Sequence, residues 1–252
     1  MHSFSKMHAL GNDFIVIDAT KTPCRMDALF IQKLSDRHTG IGFDQLLILE
    51  PSPQADFFMR IFNSDGTEAK QCGNGLRCVA HFIAERSLSF KKNISIETLS
   101  GVANIQIEKD TIRVNMGVPQ LNPINMPDIT AISMGNLHAI MIVASLEDCP
   151  VLEIANQLSH HPTFPDGVNV GFMEIIDTRR IHLCTIERGA GRTLSCGSNA
   201  CAAVVAGIKQ GHLDHSVIIE LQYGNLYVEW SGLTDSPVFL SGPAVFVFNG
   251  SI

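Results

Sequence analysis

Two cysteine-containing turns carry residues whose types and spacing suit proton-transfer chemistry. They span residues 63–78 and 187–201, and in each a polar residue stands nine positions before a Cys-Gly pair. The two cysteines, Cys72 and Cys196, lie 124 positions apart, about half of the 252-residue chain. Each is followed by small residues typical of a helix start, Gly73-Asn74 in the first turn and Gly197-Ser198 in the second.

A cysteine at a helix N-terminus has two useful properties. The unpaired N–H groups and the helix dipole favour the thiolate, which brings the thiol pKa closer to working pH. The same N–H groups form a binding site for an anion. Two such sites facing one another would hold one carboxylate between them, with a thiol on each side of the carbon that bears it. This arrangement suits stereoinversion at the α-carbon of an amino acid, where one thiolate removes the proton and the opposite thiol returns one.

Plainer interpretations compete with this one. A single cysteine before a helix is more often a small buried hydrophobe, and the repeated position of Cys72 and Cys196 is what favours catalysis. Taken alone, His138 is a core histidine, and Gly11-Asn12 and Gly135-Asn136 are plain turns. The remaining cysteines are predicted to be structural: Cys24, Cys78, Cys149, Cys184 and Cys201.

The offset of 124 recurs elsewhere, which indicates a duplicated scaffold. Gly11-Asn12 matches Gly135-Asn136, and Gln45 matches Asn169 at that offset. Gly101 and Gly224 are 123 apart, and each precedes an alternating run. A self-match with only two copies predicts two similar halves instead of a solenoid.

Each half should contain strands and one buried helix. Helices are predicted over 27–37 and 151–158, and a further helix is predicted after each site cysteine. The helix after Cys196, at 200–206, is apolar nearly all round and should be buried. Alternating or short apolar runs predict strands, among them 45–50, 57–63 and 216–221. The proline-rich stretch 117–127 is interpreted as the crossing between halves, and the last run, 245–248, has no matching position in the first half and is predicted to cross back. The fold class is α+β, with two pseudo-symmetric halves, each a mostly antiparallel curved sheet around a central buried helix. The predicted halves are 1–117, joined by 243–252, and 118–242.

Composition narrows the function classes. The formal net charge is −7 without a basic run, so nucleic acid and anionic membranes are poor candidate partners. No apolar stretch reaches the roughly 18 residues that span a bilayer, and the N-terminus has no apolar signal core. We therefore expect a cytoplasmic protein with reduced thiols. The sequence contains no Cys-x-x-Cys pair that would indicate a structural zinc site. Neither a pyridoxal-lysine signature nor a Rossmann fingerprint is evident, so no cofactor is expected.

The motifs together resemble the diaminopimelate epimerase family over essentially the full chain. The matching stretches are 6–14, 63–78, 168–172, 187–191 with Cys196-Gly197, and 241–244. The resemblance implies a cofactor-independent isomerase that interconverts LL- and meso-2,6-diaminopimelate in lysine and peptidoglycan-precursor synthesis. It also implies an active site between two pseudo-symmetric halves, and a homodimer.

The resemblance also implies roles for individual residues. Cys72 and Cys196 would be the acid/base pair, with His138 and Glu187 tuning the thiol pKa values. The expected substrate-binding residues are Asn12, Gln45, Asn63, Gly73, Asn74, Asn136, Asn169, Glu187, Arg188, Gly197 and Ser198. Arg188 would bind the distal carboxylate as a bidentate fork.

Three positions depart from the family pattern. Leu137 stands where proline is usual, so the loop that places Asn136 and His138 is expected to be less rigid. Asn199 replaces a usual glycine, and a left-handed backbone at this position would still suit asparagine. Phe248 replaces a tyrosine associated with dimer contact, which weakens the dimer expectation.

Two other functions remain open. One is a racemase or epimerase for another amino acid, such as those of the proline racemase-like or histidine racemase families, for which Arg188 would have little use. The other is a non-catalytic redox switch in which Cys72 and Cys196 form a disulfide.

Overall fold

The computed structural model describes residues 2–108 and 111–252. Its chain divides into two compact units, Met1–Val114 with Gly242–Ile252, and Asn115–Ser241. The predicted first half includes Met1, Lys109 and Asp110, which lie outside the described residues.

Groups of two or more strands separate the helices along the chain. The helices are α1 Ala28–Ser35, α2 Gly73–Glu85, α3 Val151–Ser159 and α4 Gly197–Lys209. The first nine strands are β1 Ser3–Ala9, β2 Asn12–Asp18, β3 Gln45–Glu50, β4 Phe57–Asn63, β5 Glu68–Ala69, β6 Asn93–Thr98, β7 Gly101–Ile107, β8 Ile112–Asn115 and β9 Gln120–Asn122. The last nine are β10 Thr130–Ser133, β11 Leu137–Val143, β12 Asn169–Asp177, β13 Arg180–Glu187, β14 Gly191–Thr193, β15 Ser216–Leu221, β16 Gly224–Glu229, β17 Phe239–Gly242 and β18 Val245–Ser251.

The strand pairing confirms the duplicated α+β fold. In the first unit β2 lies parallel to β3, and β4 parallel to β6, while the neighbouring pairs β1–β2, β3–β4 and β6–β7 are antiparallel. In the second unit β11 lies parallel to β12, and β13 parallel to β15, with β10–β11, β12–β13 and β15–β16 antiparallel. The same alternation of parallel and antiparallel pairs therefore occurs in both units.

One long helix forms the centre of each unit. The helices α2 and α4 each contain 13 residues, and their first residues, Gly73 and Gly197, are separated by the repeat offset. Residues 74–80 of α2 are buried, as are residues 199–207 of α4. In α4 most of these are alanine, valine or cysteine, so burial of apolar surface on all sides stabilises the helix against its sheet.

The predicted crossing segments contain more structure than expected. The stretch 117–127 includes β9, which pairs with β10. The last strand, β18, pairs with β1 in the first unit, as predicted. Its counterpart at the repeat offset is β9, which lies in the second unit and flanks β10 as β18 flanks β1. The strands β1 and β10 themselves were not predicted.

No helix in the described part of the chain is long and apolar enough to cross a membrane.

Candidate active site

The first unit places Cys72 directly before α2. Its backbone is extended, with φ −152° and ψ 106°, and its Sγ accepts a hydrogen bond from the Gly75 N–H at 3.2 Å. Cys72 is therefore the N-cap residue of a buried helix, and a thiolate there would be stabilised by the first turn's N–H groups and the helix dipole. A side chain at Gly75 would crowd this sulfur, because a Cβ there would lie 3.3 Å from Cys72 Sγ.

Asn12 and Asn74, both predicted site residues, are hydrogen-bonded to each other. Asn74 Nδ2 donates to Asn12 Oδ1 at 3.1 Å, and Asn74 Oδ1 accepts from Arg77 Nη2 at 2.8 Å. Asn12 Nδ2 donates to Asp44 Oδ2 at 2.8 Å. The fully buried Arg77 thus fixes the orientation of the Asn74 amide, which in turn fixes that of Asn12.

A cluster of charged residues supports Asn12 from the side of Asp44. Arg37 makes a bidentate pair with Asp13, at 3.0 and 2.8 Å, and also contacts Asp44 Oδ1 at 2.7 Å. Lys6 donates to Asp13 at 2.5 Å and to the Gly42 carbonyl. Burial alone would raise the pKa of Asp13, but the hydrogen bonds and positive charges of Arg37 and Lys6 lower it to about 2.

Gln45 and Asn63 form a second pair in this unit. They are directly opposite each other on β3 and β4, and Gln45 Nε2 donates to Asn63 Oδ1 at 2.9 Å. Asn63 Nδ2 also donates to Thr67 Oγ1 at 3.1 Å. The turn that follows β4 therefore fixes Asn63, and Asn63 fixes Gln45.

The second unit places Cys196 in the equivalent position before α4. Its backbone is extended, with φ −129° and ψ 109°, and its carbonyl accepts the Ala200 N–H at 3.0 Å. Cys196 Sγ lies 3.5 Å from Ser198 Oγ. Gly197 is buried and Ser198 is half-buried. The predicted cysteine and the two predicted carboxylate-binding residues thus occupy the first turn of one helix.

His138 is buried beneath Asn136. Its Nε2 lies 3.0 Å from Asn136 Oδ1, and its Nδ1 lies 3.1 Å from Asn199 Nδ2. Because of this burial the pKa of His138 falls to about 4, so the ring is neutral at pH 7. The predicted role of His138 in tuning the thiols stays a prediction; its two ring nitrogens contact amides.

Asn199 has an ordinary helical backbone. Asn199 is the third residue of α4, and the only non-glycine residues with positive φ in the described chain are Leu10 and Ser87. Its side chain is fully buried and its Oδ1 accepts from Thr185 Oγ1 at 3.1 Å. The asparagine is accommodated because its side chain packs on Gly171, where a Cβ would lie 2.5 Å from Asn199 Oδ1.

Arg188 and Asn169 are also brought together. Asn169 Oδ1 accepts the Arg188 backbone N–H at 3.0 Å, and Asn169 Nδ2 donates to the Leu137 carbonyl at 3.3 Å. The exposed Arg188 side chain donates from Nη1 to the Asp166 carbonyl at 2.6 Å and passes over Gly167, where a Cβ would lie 2.9 Å from Arg188 Cδ. A positioned and exposed guanidinium can accept an anion.

Glu187 is held by its neighbour on the next strand. Its Oε1 accepts a hydrogen bond from Thr193 Oγ1 at 2.7 Å. This contact crosses the turn between β13 and β14, where Glu187 pairs with Gly191. The carboxylate orientation is therefore set by the turn of the second cysteine-containing stretch.

The remaining buried thiols differ from the two site cysteines. Cys78 and Cys201 are fully buried within α2 and α4, as predicted. Burial raises the pKa of Cys78, Cys24 and Cys184. These three thiols are poor proton-transfer groups, which agrees with their predicted structural role.

Several functional residues were missed by sequence reasoning. Asp44 and Arg77 hydrogen-bond the predicted site residues Asn12 and Asn74, and both Asp13 and Arg37 hydrogen-bond Asp44. The sequence did contain one signal, since an arginine inside an otherwise apolar helix must find buried acceptors. In the described part of the chain no group of three or more His, Cys, Asp or Glu residues is placed to hold a metal ion.

Comparison with solved structures identifies the fold class. The Bacillus anthracis phenazine biosynthesis protein of the PhzF family gives a TM-score of 0.79 at 20% identity, covering 100% of this chain and 98% of that one. A hydroxyproline epimerase from Agrobacterium vitis gives 0.71 at 13% identity, covering 99% and 91% of the two chains. The protein has the duplicated α+β fold shared by these structures.

Sequence comparison identifies the family within this fold. The family model for diaminopimelate epimerase matches residues 4–122 and 130–247. The diaminopimelate epimerase of Stutzerimonas stutzeri is 46% identical over 271 aligned positions, which cover 99% of this chain and 98% of the relative. That of Nitrosomonas europaea is 44% identical over 270 positions with the same coverage. The chain belongs to the diaminopimelate epimerase family.

Proposed function

We propose that this protein epimerises LL-2,6-diaminopimelate to meso-2,6-diaminopimelate with Cys72 and Cys196 as its acid/base pair. The observation that carries the proposal is the equivalent placement of the two cysteines, each an extended N-cap residue of a buried 13-residue helix. Family membership supports the substrate, because both relatives described above are diaminopimelate epimerases.

The proposed reaction moves one proton off the α-carbon and another onto its opposite face. The thiolate of one cysteine takes the α-proton and becomes a thiol, and the electron pair of the C–H bond moves into the adjacent carboxylate. The S–H bond of the other cysteine then breaks, and its proton bonds to the α-carbon from the other side. The N–H groups at the starts of α2 and α4 would stabilise the charge that develops on the carboxylate, so the reaction needs no cofactor.

The substrate-binding roles follow from the positions of the polar groups. We propose that Gly73, Asn74, Gly197 and Ser198 bind the reacting carboxylate, because they form the first turns of the two helices. Arg188 would bind the distal carboxylate. The other predicted substrate-binding residues are Asn12, Gln45, Asn63, Asn136, Asn169 and Glu187.

Deuterium incorporation tests the two-thiol mechanism. Reduced protein incubated with LL-diaminopimelate in deuterated water should produce the meso isomer with deuterium at one α-carbon. Cys72→Ala and Cys196→Ala should each reduce turnover at least about 100-fold, the scale of a lost general acid or base. Cys149→Ala is a matched control, because this thiol has similar partial exposure but lies outside both helix starts.

The outcomes also separate the alternatives. Full turnover in both site variants would refute the two-thiol mechanism. Faster exchange into lysine, which lacks a distal carboxylate, would indicate a racemase for another amino acid. A protein that exchanges no amino acid, and whose Cys72 and Cys196 pair on oxidation, would fit the redox switch.

A homodimer and a cytoplasmic location remain parts of this proposal. Phe248, at the position associated with dimer contact in the family, packs edge-on against Phe4 with ring centroids 6.1 Å apart. Its side chain is exposed and presents apolar surface for a subunit contact where the family has tyrosine.

A further inference from the structure

Asn199 stands where the repeat has glycine in the other unit. Its counterpart at the offset of 124 is Gly75, which lies at the same position of α2. The Asn199 side chain is nevertheless fully buried and hydrogen-bonded at both ends of its amide. A buried polar side chain at a position that accepts glycine needs an explanation beyond helix packing.

We propose that Asn199 is a positioning residue that fixes the tautomer of His138 and thereby the orientation of Asn136. The proposal rests on the substrate-binding role of Asn136 in the proposed function. The three side chains form one chain of hydrogen bonds, from Asn199 through the imidazole to Asn136.

Thr185 sets the donor and acceptor order of these hydrogen bonds. The Thr185 hydroxyl donates to Asn199 Oδ1, which leaves Asn199 Nδ2 to face His138 Nδ1. Because an amide nitrogen only donates, Nδ1 of His138 must accept and therefore carries no proton. A neutral imidazole then carries its single proton on Nε2, and this N–H donates to Asn136 Oδ1.

The consequence lies at the protein surface. Asn136 is exposed, and its oxygen is occupied by His138, so its Nδ2 is turned away from the imidazole. Asn136 therefore presents two N–H donors that suit a carboxylate oxygen. With the other His138 tautomer, the unprotonated Nε2 would take the Asn136 amide N–H, and the Asn136 oxygen would face the anion and repel it.

Close packing around Asn199 holds its side chain in place. Gly171, on β12, leaves room for the Asn199 side chain, and any Cβ there would clash with Asn199 Oδ1 at 2.5 Å and Ile140 Cδ1 at 2.8 Å. Thr185 is itself buried on β13. The amide is thus enclosed by two adjacent strands of the sheet.

Nitrogen NMR of the whole protein tests the tautomer directly. Uniform labelling of histidine with ¹⁵N gives the protonation state of each ring nitrogen, and the spectrum of His138→Gln assigns the His138 signals. Wild-type protein at pH 7 should show an unprotonated Nδ1 and a protonated Nε2. Asn199→Asp replaces the N–H donor by a carboxylate acceptor and should move the proton to Nδ1. Asn199→Gly should give a mixture of both tautomers.

Kinetics of the same variants test the link to substrate. Asn199→Asp should raise KM for LL-diaminopimelate about three- to tenfold, the scale of one hydrogen bond, with a smaller change in kcat. Asn156→Asp and Asn156→Gly are matched controls, because Asn156 is an exposed asparagine within α3. Neither control should change KM or the His138 signals.

The two readouts distinguish this proposal from the proposed function. A protonated Nδ1 in the wild type would refute the tautomer assignment even in an active enzyme. His138 signals that stay unchanged in Asn199→Asp and also in Asn199→Gly would refute it as well. An unchanged KM in Asn199→Asp with a moved proton would refute the link to Asn136. If the wild type lacks epimerase activity, the proposed function fails while the NMR result still decides the tautomer.

Discussion

His138 should make the folded protein sensitive to mild acid. Burial lowers its pKa from the ordinary 6.5 to about 4. Below pH 6.5 the unfolded chain binds a proton that the folded chain does not, so the free energy of unfolding falls as pH falls, until His138 titrates in the folded state near pH 4. The pKa difference corresponds to about 3 kcal/mol over this range. About 2 kcal/mol of this should be lost between pH 7 and pH 5, a large share of the roughly 5–15 kcal/mol that stabilises a domain.

The assay is urea unfolding of wild type and His138→Gln at pH 7, 6 and 5. Glutamine has a similar size and retains polar atoms, but it does not titrate. The variant should be less stable than the wild type at pH 7, because two hydrogen bonds are altered. This stability difference should shrink by about 2 kcal/mol at pH 5, because only the wild type loses the contribution of His138.

The comparison cancels the other titrating groups, because both proteins contain them. His212→Gln is the control for the loss of an exposed histidine, since His212 lies exposed after α4. A stability difference for His138→Gln that is the same at all three pH values would refute the reasoning. Such a result would mean that His138 is hydrated or charged in the folded protein.

Two further substitutions test the surroundings of Asn12 and of Cys72 in the first unit. Asp13→Asn should lower the free energy of unfolding at pH 7 by about 1–2 kcal/mol, a value that allows for solvent screening of Arg37. The folded pKa of Asp13 is depressed to about 2, so this contribution is present above about pH 4 and is lost as pH falls towards 2. Equal urea midpoints for Asp13→Asn and wild type at pH 7 would contradict the expected loss of stability. Gly75→Ala should reduce turnover about tenfold or more, because the new Cβ would lie only 3.3 Å from Cys72 Sγ and 3.2 Å from the Leu47 methyl groups. The melting temperature should change little, because the better helix propensity of alanine offsets this crowding. Full turnover in Gly75→Ala would show that the sulfur can move without loss of function.

Local signals in the sequence were sufficient for the elements that carry the cysteines. The starts of α2 and α4 were predicted from small residues after each cysteine, and β3, β4 and β15 have the predicted bounds. These elements follow from patterns within one short stretch of chain, either a buried apolar run or a helix start. The duplication then related the two cysteines to each other.

Elements that depend on distant residues were harder to predict. The strand β1 contains Lys6, a charged residue that is almost fully buried. Its burial becomes favourable only when Asp13 and the Gly42 carbonyl accept hydrogen bonds from the amine. The strands β9 and β10 lie in or next to a proline-rich stretch and are short. Their pairing with each other is a tertiary preference that single-sequence patterns do not contain.

The site residues show the same division. The polar residues that contact substrate in the proposed function were predicted from motifs, whereas the residues that orient them were not. For Asn199 the sequence indicated only that asparagine, which tolerates a left-handed backbone, replaces a usual glycine. Its actual role depends on His138 and Thr185, which reach it from β11 and β13. No local pattern brings these three residues together.

The two units orient their first asparagine in opposite ways, although the scaffold is duplicated. In the first unit Asn12 donates to Asp44 and accepts from Asn74, an arrangement fixed by the buried Arg77 and by charged groups. In the second unit Asn136 accepts from a neutral imidazole, which is fixed by an amide. Since Arg77 is matched by Cys201 at the repeat offset, the second unit lacks the buried cation at this position and uses neutral groups instead.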